Sequence, residues 1–244
     1  MKPGKADRVR KHLFFLALSL LFLSWAAVPA CCQRGTFDLN VGEVSDQYGT
    51  LPKLTGAVLD MNGYYVIKKP NPKKGGPSIL AGGEIRVPSN DANHSKEYAV
   101  YGGVAFDVHN FSFGADGEVR KIILPPATID NQIVVRYNMN LFELPVVIKY
   151  KFGHDKRAFV QVQGEPEFTP HYKTPKGTVV PTPHPAFDYG YTVRASVGYN
   201  FGKWYYAKAT AETRYFKFAS GLGNPSSLYN WKSNMVTGGV GVRF

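Results

Sequence analysis

Few residues in this chain have the type and spacing to do chemistry. His171 and His184 stand near the two ends of a proline-rich stretch, residues 169–186, that holds Pro170, Pro175, Pro181, Pro183 and Pro185. Two imidazoles brought together could hold a metal ion or move a proton, but no third ligand stands at a metal-like spacing. Glu165 and Glu167 are two residues apart, so on a strand they share one face. Paired carboxylates can divide acid and base roles between them. Here Lys149, Lys151, Arg194, Lys208 and Arg214 lie on the polar rows of other segments and are expected to neutralise them. His94, His109 and His154 fall in expected loops or turns and read as loop polarity, and His12 lies in the N-terminal segment. No Gly-x-Ser-x-Gly elbow marks an acyl-transfer nucleophile. Gly82-Gly83, Gly102-Gly103 and Gly238-Gly239 sit inside alternating segments, where they suit a curved wall better than a phosphate loop. The chain is therefore expected not to be an enzyme, with no catalytic, cofactor-binding or metal site.

The segments that carry these residues alternate with a period of two and are separated by turn signals. Ten are legible: 36–42, 55–67, 78–87, 98–108, 110–120, 141–152, 158–168, 187–201, 204–216 and 235–244. In each, one row is apolar and the other polar. Residues 141–152 set Phe142, Leu144, Val146, Ile148, Tyr150 and Phe152 against Glu143, Lys149 and Lys151. Residues 187–201 set Tyr189, Tyr191, Val193, Val197, Tyr199 and Phe201 against Asp188, Thr192, Arg194 and Asn200. Such rows fit two arrangements. A soluble barrel or sandwich turns its apolar row inward, whereas a membrane barrel turns it outward. The apolar rows end in aromatic residues, such as Tyr199, Phe201, Tyr205 and Tyr215, and their middles are Val, Ala and Gly. Ala207, Ala209 and Ala211 would fill a soluble core poorly. Aromatic girdles around a smaller-residue band are what a lipid-facing surface carries.

The N-terminus supports an exported chain. Residues 1–12 hold Lys2, Lys5, Arg8, Arg10 and Lys11 against Asp7, then 13–28 run apolar to Val28-Pro29-Ala30. A charged head, an apolar core and a small residue before a cut make a secretory signal, expected over residues 1–30. Cleavage there would leave Cys31-Cys32 at the mature end, where Cys31 is a candidate for lipidation. These two cysteines are the only ones, and being adjacent they cannot staple the fold. The formal charge of +11 falls to about +7 without the signal, and no long basic run points to nucleic acid. No later stretch is long and apolar enough for a spanning helix, so a chain that crosses a membrane must do so as a closed barrel.

Link lengths point the same way. Residues 121–140, 169–186 and 217–234 are long links, while 109, 153–157 and 202–203 are short. Membrane barrels have short turns at one end and long loops at the other, with an even strand count. Ten strands fit, or eight if the seven-residue first run and the second form a separate N-terminal piece over residues 31–77 with the barrel at 78–244.

Leu141-Phe142-Glu143-Leu144-Pro145-Val146-Val147-Ile148-Lys149-Tyr150-Lys151-Phe152 resembles the LxxPLLLKYxF strand of the PorT-like outer-membrane β-barrel family, a small-barrel class of the OmpA and OmpX type. Ala211-Glu212-Thr213-Arg214-Tyr215 is similar to that family's penultimate strand. The ending at Phe244 resembles the closing strand of bacterial outer-membrane barrels, whose terminal Phe the barrel assembly machinery reads. The resemblance implies an antiparallel up-and-down transmembrane β-barrel in a Gram-negative outer membrane. Its expected partners are outer-membrane lipid, the assembly machinery through Phe244, and an extracellular ligand met by the loops, with no nucleic acid. The expected role is structural or surface-interacting, with a polar, ion-paired lumen. A narrow pore for small polar solutes, a barrel enzyme and a soluble secreted barrel are the alternatives.

Overall fold

The computed structural model describes residues 34–49, 52–69, 76–89, 94–123, 127–129, 132–134, 138–173, 187–218 and 230–244. The expected signal peptide, Cys31, His184 and most of the residues in the long loops lie outside this set. Among the described residues, apart from a turn of 3-10 helix at His154–Lys156, the regular structure is all strand. The strands are β1 (Gly35–Tyr48), β2 (Leu54–Lys68), β3 (Ser78–Pro88), β4 (Lys96–Val108) and β5 (Phe111–Ile123). Two three-residue strands, β6 (Ala127–Ile129) and β7 (Gln132–Val134), pair only with each other. There follow β8 (Asn138–Glu143), β9 (Val146–Phe152), β10 (Ala158–Lys173), β11 (Phe187–Phe201), β12 (Tyr205–Phe218) and β13 (Trp231–Arg243).

The unit Gly35–Arg243 is a closed antiparallel barrel. Each strand pairs with its neighbour in sequence, and β1 returns to pair with β13 from Thr36↔Arg243 to Tyr48↔Trp231. Closure leaves no unpaired edge, which a sheet in lipid cannot tolerate. Of the other unit, Arg34 and Phe244 are described, and the Arg34 amide donates to the Phe244 carbonyl at 2.5 Å.

β8 and β9 are one wall strand interrupted in name only. β5 and β10 hold an unbroken register on both sides of the gap, Glu118↔Glu143 and Ala115↔Val146 on one side, Glu167↔Glu143 and Gly164↔Val146 on the other. The gap falls at Leu144-Pro145, where the ring removes one donor. The ladder continues around it: Asp116 N–H donates to the Pro145 carbonyl at 3.0 Å, and Leu144 N–H to the Pro166 carbonyl at 3.3 Å. Counting β8–β9 once, the barrel has ten strands.

The links divide the barrel into a turn end and a loop end. His109-Asn110 joins β4 to β5 with His109 at φ 56°, and Gly202 opens the β11–β12 turn at φ 90°. β1, β3, β5, β10 and β12 finish at the other end, where the links of residues 124–137, 174–186 and 219–230 begin; the nine-residue link 69–77 after β2 belongs to the turn end.

All ten legible segments are strands, but several run further toward the loop end than alternation indicated. β1 extends from the expected 36–42 to Tyr48, β5 to Ile123, β12 to Phe218, and β13 begins at Trp231. The first run is therefore a full wall strand, and ten replaces the alternative of eight. His171 falls within β10 rather than in a loop.

Candidate functional site: an ion-paired lumen under an inverted collar

The rows sort cleanly by burial. Val100, Val119, Val146, Val162, Val193, Val197, Val236 and Val240 all face outward, 45–66% exposed. Their polar counterparts on the same strands face in and are buried, among them Glu97, Arg120, Glu143, Glu165, Thr192, Ser196 and Thr237. In β4 the outward apolar row runs from Tyr98 to Val108. Eleven residues at a tilt of about 45° are what a transmembrane strand needs, and they give a height close to the roughly 25 Å band of such barrels. The band is edged by aromatic residues: Tyr98, Phe142, Phe168 and Tyr191 toward the loops, Phe111, Phe152, Phe201 and Tyr205 toward the turns. Phe111 and Tyr150 pack with centroids 4.8 Å apart, and Tyr199 and Phe201 at 5.3 Å.

Inside, four guanidinium groups organise eight carboxylates. Arg86 grips Glu212 with both terminal nitrogens at 2.8 Å and reaches Glu84 at 3.0 Å, Glu97 at 3.2 Å and Asp60 at 3.7 Å. Arg120 donates to Glu143 and Glu97 at 3.0 Å each and to Glu84 at 3.2 Å, and lies 2.5 Å from Glu118. Arg194 spans Glu212 at 2.6 Å, Glu84 at 2.9 Å and Glu165 at 3.4 Å. Arg214 holds Glu97 at 2.6 Å, the Thr192 hydroxyl at 2.8 Å and Glu167 at 3.5 Å. The Arg86–Glu212 and Arg194–Glu84 pairs link β3 to β12 and β11, across the lumen rather than along the wall. Arginine suits this position because its planar fork meets several carboxylates at fixed angles and stays charged when buried.

Toward the loops the sidedness reverses within single strands. β1 faces Phe37, Leu39 and Val41 outward, then Glu43, Ser45 and Gln47, while Val44 and Tyr48 turn inside. β13 faces Lys232 and Asn234 outward before Val236, with Trp231 and Met235 inside. β12 carries Thr213 and Lys217 outward with Phe216 and Phe218 inside, and β8 carries Asn138 and Asn140 outward with Met139 and Leu141 inside. Thr213 donates to Asn234 across the outer face at 3.0 Å. This collar has the polarity of a water-soluble barrel and stands on a band of the opposite polarity.

The collar's interior is an apolar lid. Trp231 stacks between Phe216, at 5.1 Å, and Tyr48, at 6.4 Å. Val44, Val58 and Met235 form a buried cluster. His94 enters from the β3–β4 link, its Nδ1 2.7 Å from Asp46 Oδ2, while the Trp231 indole N–H donates to Asp46 Oδ1 at 3.0 Å. The ring fits because residue 56 is glycine: a Cβ there would lie 2.5 Å from His94 Nε2. At the turn end Lys208 reaches Asp38 at 2.5 Å, Tyr206 donates to the same carboxylate, and the Lys149 ammonium sits 3.9 Å over the Phe159 ring.

The structure brings Glu165 and Glu167 to Arg194 and Arg214, two of the five bases named for them. Lys149, Lys151 and Lys208 go elsewhere, to Phe159, Asp107 and Asp38, because they stand nearer the turns. His154 is exposed beside Asp155, and His109 is a turn residue. His94 is the correction among the histidines: it is buried and paired, not loop polarity. Arg86 and Arg120 are central, and their inward parity was legible while their partners were not; Glu97, equally central, fell before the legible 98–108 segment and was read as part of a link, whereas β4 begins at Lys96. Among the described residues no group of histidine, cysteine or acidic side chains is arranged to hold a metal.

No family model matches the chain, and no curated protein matches it in sequence. Among solved structures it is similar to Ail, the attachment invasion locus protein of Yersinia pestis, in complex with the heparin analogue sucrose octasulfate. The identity is 10%, over 86% of this chain and 99% of that one, with a TM-score of 0.27. It is similar also to the translocator domain of the autotransporter NalP from Neisseria meningitidis, at 10% identity over 98% of both chains, with a TM-score of 0.33. Those figures say nothing of residues or activity, and the fold rests on the register around the wall. The described residues form an all-β, ten-stranded, antiparallel up-and-down barrel.

Proposed function

We propose that this chain is an integral outer-membrane barrel whose lumen is closed and whose loops carry its contacts with the outside. The observation that carries the membrane reading is the reversal of sidedness within β1, β8, β12 and β13. A soluble barrel keeps its apolar row inside along the whole strand; here that holds only for the collar. A charge on the outer row at mid-band would cost about 2–4 kcal/mol; Glu43, Lys121, Lys217 and Lys232 stand on the outer face toward the loop end, and Lys68, paired with Ile79, stands at the turn end of β2. The cross-lumen pairs and the aromatic lid favour a structural or surface-interacting role over a pore, since a solute would have to break both. Recognition then belongs to the loops on a rigid wall, and Phe244 is the residue offered to the assembly machinery. Fold alone does not choose the ligand.

The test has two readouts on one preparation. The full chain is expected in the outer-membrane fraction after carbonate washing, running faster on a gel unboiled than boiled, and silent in planar bilayers. Release by carbonate without a mobility shift overturns the membrane reading. Regular single-channel steps from a heat-modifiable preparation overturn the closed lumen alone.

A further inference from the structure

Above the aromatic edge, the collar's outer wall carries lysines, two of them beside tyrosine in the register. Lys121 of β5 stands between Tyr98 of β4 and Asn140 of β8 in the register, all three facing out. Lys232 of β13 stands between Gln47 of β1 and Tyr215 of β12, again on the outer face. Beside it the Lys217 ammonium lies 5.2 Å from the Tyr189 ring centroid and 3.0 Å from the Asp188 carboxylate. At the turn end the balance differs: Lys149, Lys151 and Lys208 belong to the inward rows, the outward row there is Phe111, Phe152, Phe201 and Tyr205, and Lys68 of β2, opposite Ile79, is exposed beside it. The two edges of the band thus differ in weight: Lys121, Lys217 and Lys232 join the aromatic ring at the loop edge, against Lys68 at the turn edge.

A lysine at that height holds its stem along the apolar wall and its ammonium in the headgroup layer. Tyrosine beside it fits the same boundary, with an apolar body and a polar tip. Recognition of anionic lipid by basic residues just outside the hydrocarbon follows from the same placement.

We propose that the collar is a docking surface for phosphate-bearing anionic lipid headgroups in the loop-side leaflet, with one contact at Lys121, Tyr98 and Asn140 and a second at Lys232 and Tyr215. This rests on the membrane reading above. The headgroup phosphate sits against the lysine ammonium while the tyrosine ring borders the first acyl carbons. Headgroups held there fix the height of the barrel, so that the inverted collar stays in water and the valine rows stay in hydrocarbon.

The experiment is native mass spectrometry of the full chain released from nanodiscs of phosphatidylcholine mixed with phosphatidic acid. The unaltered chain is expected to retain phosphatidic acid about fivefold above its share of the disc for each engaged lysine. K121Q/K232Q is expected to lower retention toward the bulk ratio, while K203Q, in a turn at the opposite end, is expected to leave it unchanged. Retention at the bulk ratio by the unaltered chain overturns the proposal, as does equal retention by K121Q/K232Q. Displacement of the lipid by millimolar inorganic phosphate would overturn the choice of a lipid headgroup over a free anion. Failure to enter discs of either composition counts against the membrane reading instead, so the two failures are distinguishable.

Discussion

At the scale of single residues, position in the lumen decides what a charge is worth. Arg120 is fully buried and meets Glu84, Glu97, Glu118 and Glu143. Removing it strands several carboxylates away from water, so Arg120→Met is expected to destabilise the barrel by about 3–5 kcal/mol. The measurement is urea unfolding in detergent micelles, read from the loss of the unboiled gel form. Lys149→Gln is the control, since Lys149 lies over an aromatic ring and no ion pair of the network depends on it. The outer face gives a matched pair of its own. Val240 is 58% exposed in the middle of the valine row, whereas Ser45 faces out in the collar. Val240→Arg is expected to cost about 2–4 kcal/mol and Ser45→Arg about 0–1 kcal/mol in the same assay, with phospholipid bilayers in place of micelles. Equal costs would mean that both residues face the same solvent. Gly56→Val tests the lid: its side chain would strike the His94 ring. The expected result is loss of the His94–Asp46 contact, seen as exposure of Trp231 to a water-soluble fluorescence quencher, with the heat-modifiable barrel retained.

At the scale of the strand, the same physics explains what could be read from sequence and what could not. The parity of β9, β10 and β11 was plain, because each keeps one sidedness through its well-patterned length. β1 was cut short at Gly42, since an acid at position 43 on the apolar parity looks like the end of a run. The strand in fact continues and its surroundings change: beyond the aromatic edge, Glu43, Ser45 and Gln47 face out and Val44 and Tyr48 face in. A single rule of apolar against polar cannot follow a strand across that boundary. The candidate site was half legible for a related reason. Alternation tells which way Arg86 and Glu212 point, but they are 126 positions apart and meet only once the wall closes. Nothing local assigns Arg194 to Glu84 or sends Lys208 away from Glu165. His94 gave no signal, because its burial depends on Gly56 and Asp46 from the neighbouring hairpin. Pro145 shows the converse, a strong local breaker absorbed by the wall. Pro145→Val is expected to leave the barrel folded and heat-modifiable, because both neighbouring ladders already hold register across the gap. A collapse of the unboiled form would show that the proline is needed to bend the strand.

At the scale of the molecule, three layers stack along one axis: a polar turn end, an ion-paired middle inside an apolar band, and an apolar lid inside a polar collar. The first two layers suit a protein that crosses hydrocarbon without conducting; the third suits one that stands above the membrane and presents its loops. The boundary between the second and third is therefore the central claim, and depth-resolved quenching tests it most directly. With Cys31 and Cys32 replaced by alanine, a small fluorophore would be placed at Val240→Cys or Gln47→Cys, in bilayers whose lipids carry a quencher at mid-chain. Strong quenching at position 240 and little at position 47 is the predicted result. Equal quenching at the two positions, or none at either, would contradict the placement of the apolar band in lipid.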